Sequence, residues 1–100
     1  MIDLDFTFTG ELWAWESTTT WYFISLPKEM SEDIKAFTRH MTRGFRSVRV
    51  GVTIGESEWN TSIFPSKEQG VYLLPVKAAI RKAEKLGVGV SADVKLSVMI

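Results

Sequence analysis

The chain contains no cysteine and a single histidine, His40. Without thiols there is no disulfide framework, zinc ribbon, iron–sulfur site or cysteine nucleophile, and one imidazole cannot build a multi-histidine metal centre. No metal and no cofactor is therefore expected. No apolar run approaches the roughly 18 residues of a membrane span. The segment Met1-Ile2-Asp3-Leu4-Asp5 lacks the basic and then apolar regions of a secretory signal, so a cytoplasmic location is expected. A phosphate-cradling loop is missing too, because "GVGVSAD" has neither a Lys-Ser/Thr pair nor a helix after it. Net charge is also lacking: 12 Lys+Arg balance 12 Asp+Glu, which excludes a uniformly basic nucleic-acid protein.

What is present is core-forming material. With 45% hydrophobic and 12% aromatic content, 100 residues suffice for one compact domain spanning 1–100 and argue against disorder. The zero net charge hides a polarised distribution. Residues 1–33 hold seven acids and one base (Lys28), whereas residues 34–55 hold Lys35, Arg39, Arg43, Arg46 and Arg49 and no acid. The remainder is nearly neutral, so the middle of the chain is basic.

Strict alternation of Ile2, Leu4, Phe6 and Phe8 with polar residues predicts a half-buried strand. Gly10 suggests a bulge or bend, with Leu12 to Trp15 as the continuation. After the polar connection 16–20, Trp21 to Leu26 reads as the returning strand, ended by Pro27. Ser31 can cap a helix with Glu32 and Asp33 in its first turn, with Met30, Ile34, Phe37 and Met41 at helical spacing and Arg43-Gly44 at its close. Phe45 to Ile54 alternates as a strand, Gly55-Glu56-Ser57 turns into a strand Glu58 to Phe64 stopped by Pro65, and Val71 to Leu74 is a short strand closed by Pro75. Val76, Ala79, Ile80, Ala83 and Leu86 or Gly87 form a second helical stripe, and Ala92 to Ile100 a last strand.

The order strand, strand, helix, strand thus occurs twice, in halves 1–54 and 55–100, and "FISLPKEMSEDIKAF" echoes "VYLLPVKAAIRKAEKL". Six strands left as an open sheet expose two edges, so closure into a six-stranded, pseudo-twofold, mostly β barrel with two short helices is expected. The alternative is an open α+β sheet with both helices on one face.

The segments "WYFISLP", "RGFRSVRVGVTIGESEWNTSIFP" and "GVYLLPVKAAIRKAEKL" closely resemble the domain-of-unknown-function 1905 family of small bacterial and archaeal proteins. The resemblance implies a double-split β-barrel, the fold class of the swapped-hairpin transition-state regulators and antitoxins that bind DNA. The second half shares Pro75, Ile80, Arg81, Leu86, Gly87, Asp93 and Val94 with the helix segment of those regulators, but carries Ala92-Asp93 where they have Gly-Asp. Those regulators build the barrel from two chains, whereas here both halves lie in one.

Two sets of residues are candidates for function. Lys35, Arg39, Arg43, Arg46 and Arg49, with Lys77 and Arg81 on the second helix, would form an anion or nucleic-acid patch; the plainer role of the first five is to offset the acids of the first third. Lys77, Arg81 and Lys85, spaced four apart, read as a solvated helix face. Trp13, Trp15, Trp21 and Trp59 would stack on a ligand or partner if exposed. Trp13 and Trp15 have the parity opposite to Leu12 and Ala14, so either the strand changes faces after Gly10 or these rings lie at the surface; core packing is the expected outcome. Catalysis finds no constellation. His40 has no nucleophile or acid at a fixed spacing, Ser62 lacks an elbow context, and Asp3/Asp5 and Glu56/Glu58 lie on solvent faces of strands. The expectation is a non-enzymatic, monomeric or weakly dimeric binding or accessory module for a protein or small ligand, using the aromatic hairpin and the loop after Phe64. A nucleic-acid-binding regulator is the alternative.

Overall fold

The structure, a computed structural model, describes residues 5–38 and 47–99. Its elements are β1 (Asp5–Glu16), β2 (Thr20–Ser25), α1 (Lys28–Thr38), β3 (Val48–Ile54), β4 (Ser57–Ser66), β5 (Val71–Pro75), α2 (Ala78–Ala83) and β6 (Ser91–Val98). The strands close into a six-stranded barrel in the order β1-β2-β5-β4-β3-β6, and every pairing is antiparallel. Exchanging β1, β2 and β3 for β4, β5 and β6 leaves that cyclic order unchanged, which is the pseudo-twofold symmetry of the double-split barrel. Closure removes the exposed edges that an open sheet would carry.

Alternation sets the inside from the outside. Val48, Val50, Val52 and Ile54 of β3 and Ala92, Val94, Leu96 and Val98 of β6 are buried, with Arg49, Asp93 and Lys95 exposed between them. Leu12, Ile24, Ile63, Tyr72 and Leu74 complete the barrel core, and Ile34 of α1 and Ile80 of α2 belong to the same cluster. No buried side-chain nitrogen or oxygen among the described residues lacks a hydrogen-bond partner.

The two halves meet at β2 and β5, where Ile24 and Leu74 are register partners, each wholly buried. Just beyond them the Leu26 N–H donates to the Tyr72 carbonyl and the Val76 N–H to the Tyr22 carbonyl, both at 2.9 Å. These bonds are images of one another, and the helices that follow begin at Lys28 and Ala78. The symmetry therefore sets Pro27 against Lys77. The textual likeness that aligns Pro27 with Pro75 is out of register with the fold, since Pro75 lies inside β5 opposite Phe23.

Several expected boundaries move. β1 runs through Gly10 with no bulge, the pairs Thr9 with Asp93, Gly10 with Ala92 and Glu11 with Ser91 keeping one register. β4 continues through Pro65, which is paired with Tyr72, rather than stopping at Phe64. Ser31 is not a cap: α1 starts at Lys28, the Ser31 N–H already donates to the Pro27 carbonyl at 2.9 Å, and the buried Ser31 hydroxyl accepts the Tyr72 N–H at 3.0 Å. α2 has only six residues, fewer than two turns, so Ile80 is its single buried side chain while Ala79 and Ala83 are exposed. The buried Val76 precedes it, and Lys85, in the left-handed region at φ 54°, follows it. Glu84 ties this end down, its Oε2 accepting the Ser57 hydroxyl at 2.6 Å while its carboxylate lies against Gly55 of the β3–β4 turn, at φ 59°. The expected start of β1 at Ile2, and the close of the first helix with Arg39, His40, Arg43 and Gly44, lie outside the described residues.

Candidate functional site

The parity of β1 decides where its tryptophans point. Phe6, Phe8 and Leu12 all pack on the core, so the strand keeps its faces through Gly10 and places Trp13 and Trp15 outside. Core packing, the expected role, is therefore not theirs. Across the β1–β2 hairpin Trp15 is paired with Trp21 and Trp13 with Phe23, and paired residues share a face. Trp15 and Trp21 remain 54% and 49% exposed.

Below this pair lies a small apolar stack on the barrel's exterior. The Trp21 ring is parallel to that of Phe23 at 6.1 Å between centroids, and the Trp13 ring tilts over Phe23 at 5.3 Å. Phe23 is thereby buried although it faces outward. Trp13 is held in place by its indole N–H, which donates to the Ser25 hydroxyl at 2.8 Å, while that hydroxyl donates to Gln69 Oε1 at 2.8 Å. The same face continues through register partners Ser25 with Leu73 and Leu73 with Phe64, the last 45% exposed. Trp15–Trp21, Trp13–Phe23–Pro75 and Ser25–Leu73–Phe64 thus form three cross-strand rows over β1, β2, β5 and β4. Sequence reasoning did not single out Phe64 and Leu73; the signal available was their parity, opposite to the inward Ile63 and Leu74.

Trp59 does not join them. It is the partner of Val52, shares its inward face, and packs against the core as the plug expected of a small barrel.

The basic candidates among the described residues lie on different elements. Lys35 is exposed on α1 and, with Ser31, Glu32, Ser66, Lys67 and Gly70, lines a hollow of about 290 Å³. Arg49 is exposed on β3 opposite Ser62, and Arg39, Arg43 and Arg46 lie outside the described residues. Lys77, Arg81 and Lys85 do not form one solvated helix face, because α2 ends at Ala83. Lys77 is exposed ahead of it, whereas Arg81 is half-buried with its guanidinium 3.7 Å from the Tyr22 ring centroid and its Nε–H donating to the Val76 carbonyl at 3.2 Å.

A polar groove lies elsewhere on the barrel. Thr7 and Thr53 flank Lys95 across β1, β6 and β3, in a groove of about 450 Å³ that also includes Asp93, whose carboxylate accepts the Thr9 hydroxyl at 2.6 Å. Inside, burial raises the Tyr72 hydroxyl pKa above its ordinary value, and a hydrogen bond with Thr38 offsets part of that rise. No group of three or more His, Asp or Glu among the described residues is placed to hold a metal ion, and no described helix is long and apolar enough to cross a membrane.

A family model described as a domain of unknown function, DUF1905, matches residues 8–96. No curated protein matches the chain.

Proposed function

The chain belongs to the DUF1905 family, whose description assigns no activity, and from that premise we propose that it is a non-enzymatic binding module that engages a partner through the aromatic face of β1, β2, β5 and β4. One observation carries this reading: Trp15 and Trp21 stand directly opposite each other on the outside of a closed barrel, about half exposed, although the chain has a core to place them in. Burying a Trp on a partner releases more apolar surface from water than any other side chain offers, and such residues dominate interfaces. The Trp13–Ser25–Gln69 hydrogen bonds and the covered Phe23 ring hold the face in one shape before any partner arrives, which lowers the ordering cost of binding.

The test uses the whole chain as bait, in wild-type form and as the Trp15→Ala/Trp21→Ala variant, with far-ultraviolet circular dichroism to verify that both are folded. A partner retained by the wild type, reproduced with purified components by calorimetry and weakened roughly a hundredfold or more in the variant, supports the reading. Equal binding of purified partner by both proteins overturns it. Salt-sensitive binding of labelled duplex DNA, unchanged by the two substitutions, overturns it in favour of the basic residues around Lys35 and Arg49.

A further inference from the structure

We infer that the partner element taken by this face is a short cationic segment of a protein, with Arg or Lys side chains resting on the Trp15–Trp21 pair; this inference rests on the function proposed above. Charge and area select this occupant. Residues 11–25, which build the hairpin, contain Glu11 and Glu16 and no base. Glu11 has the parity of Trp13 and Trp15, is exposed, and so stands on the same outer face; Glu16, of the opposite parity, follows Trp15 at the exposed end of the strand. On this face Glu11 is registered with Ser91, Trp13 with Phe23 and Trp15 with Trp21, and none of these is cationic. An aromatic face presents negative electrostatic potential to whatever lies above it. Two exposed indoles on a hairpin that carries two carboxylates and no base therefore complement a guanidinium or ammonium group better than a phosphate backbone.

The hairpin already holds one such contact, the Arg81 guanidinium over the Tyr22 ring at 3.7 Å. Tyr22 lies between Trp21 and Phe23 in sequence and so belongs to the opposite face of β2, leaving the outer rings of Trp15 and Trp21 available. Area then selects the kind of partner. The exposed fractions of Trp15, Trp21 and Phe64 amount to about 300 Å² of aromatic surface, well short of the roughly 800 Å² per partner of a stable protein pair. A short segment is matched to that area, and a second copy of the chain held by this face alone is not.

The probe is acetyl-tetraarginine amide, with the tetracitrulline peptide as the uncharged, equally planar control. The indole N–H resonances of Trp15 and Trp21 are followed during titration of the full chain, assigned from the single Trp→Phe variants. The expected result is saturable movement of both indole signals with the arginine peptide, binding at least roughly tenfold weaker with citrulline, weakening by added salt, and a several-fold loss in Glu11→Gln/Glu16→Gln. Equal binding of arginine and citrulline peptides, lost in Trp15→Ala/Trp21→Ala, overturns the cationic inference and leaves the docking face standing. No indole movement with either peptide at millimolar concentration overturns the cationic inference. Failure of the docking face itself is read separately, from a purified partner bound equally by wild type and the double Trp variant. A Trp15-dependent dimer in sedimentation, without peptide binding, overturns it in favour of self-association.

Discussion

The Cγ2 methyl of Ile24 occupies the place where a side chain on Gly10 would begin. Gly10 is in regular register with Ala92, so its missing Cβ serves neither a bend nor a left-handed turn but the close approach of the wholly buried Ile24. Gly10→Ala is predicted to destabilise the barrel by about 1–3 kcal/mol, because the interior must shift to admit one carbon. Gly87→Ala, where nothing lies within 4 Å of the added carbon, is predicted to change stability by less than about 0.5 kcal/mol. Urea midpoints of the two variants provide the measurement.

The four tryptophans divide by face. Trp15→Ala and Trp21→Ala remove cross-strand contact on the outside and are predicted to cost about 0.5–1 kcal/mol each, whereas Trp59→Ala opens the core beside Val52 and is predicted to cost about 2–4 kcal/mol. Acrylamide quenching separates the same groups: most of the accessible emission is expected to disappear in Trp15→Ala/Trp21→Ala and to persist in Trp59→Phe.

Ser31 joins α1 to β5. Replacing it with Ala leaves the Tyr72 N–H without its acceptor inside the protein, at a predicted cost of about 1–3 kcal/mol. Amide exchange at Tyr72 should accelerate more in this variant than exchange at Leu96, on the far side of the barrel. Equal acceleration at both sites counts against a local bond.

Tyr72 predicts an alkaline limit. Burial, only partly offset by Thr38, makes its folded pKa higher than its unfolded value of 10.0, so the folded state holds the proton more tightly. That contribution is complete below the unfolded value and is lost as pH rises through the folded one. Stability should therefore fall above about pH 10, and Tyr72→Phe should flatten that fall. Denaturant midpoints collected from neutral to alkaline pH test this, and an unchanged alkaline slope in the variant contradicts the assignment.

Much of the barrel was legible from alternation. The Val48–Ile54 and Ala92–Val98 patterns specify two faces because each strand is buried on one side only, and six such strands have an inexpensive solution in closure. Less legible were features set by contacts between halves. Ser31 looked like a cap because a serine before two acids has that signature, but Pro27 had already opened the helix and β5 needed an acceptor. Pro65 looked like a stop, yet β4 passes through it. The aromatic face was half legible: the parity of Leu12 and Ala14 with Phe6 and Phe8 placed Trp13 and Trp15 outside, and only the expectation that large rings belong in a core argued otherwise. Phe64 and Leu73 share that outward parity, but their place in line with Ser25 is set by the register between strands. Trp59 met that expectation because its partner Val52 faces inward.

β1 and β6 are neighbours, with Asp5 beside Ser97 and the Ser97 hydroxyl donating to the Asp5 carboxylate. Polypeptide therefore enters and leaves the barrel at one place, from two adjacent strands. A domain wired in this way can be spliced into a surface loop of another protein with both junctions at the same spot, leaving no strand interrupted and the aromatic hairpin displayed at the far end of β1.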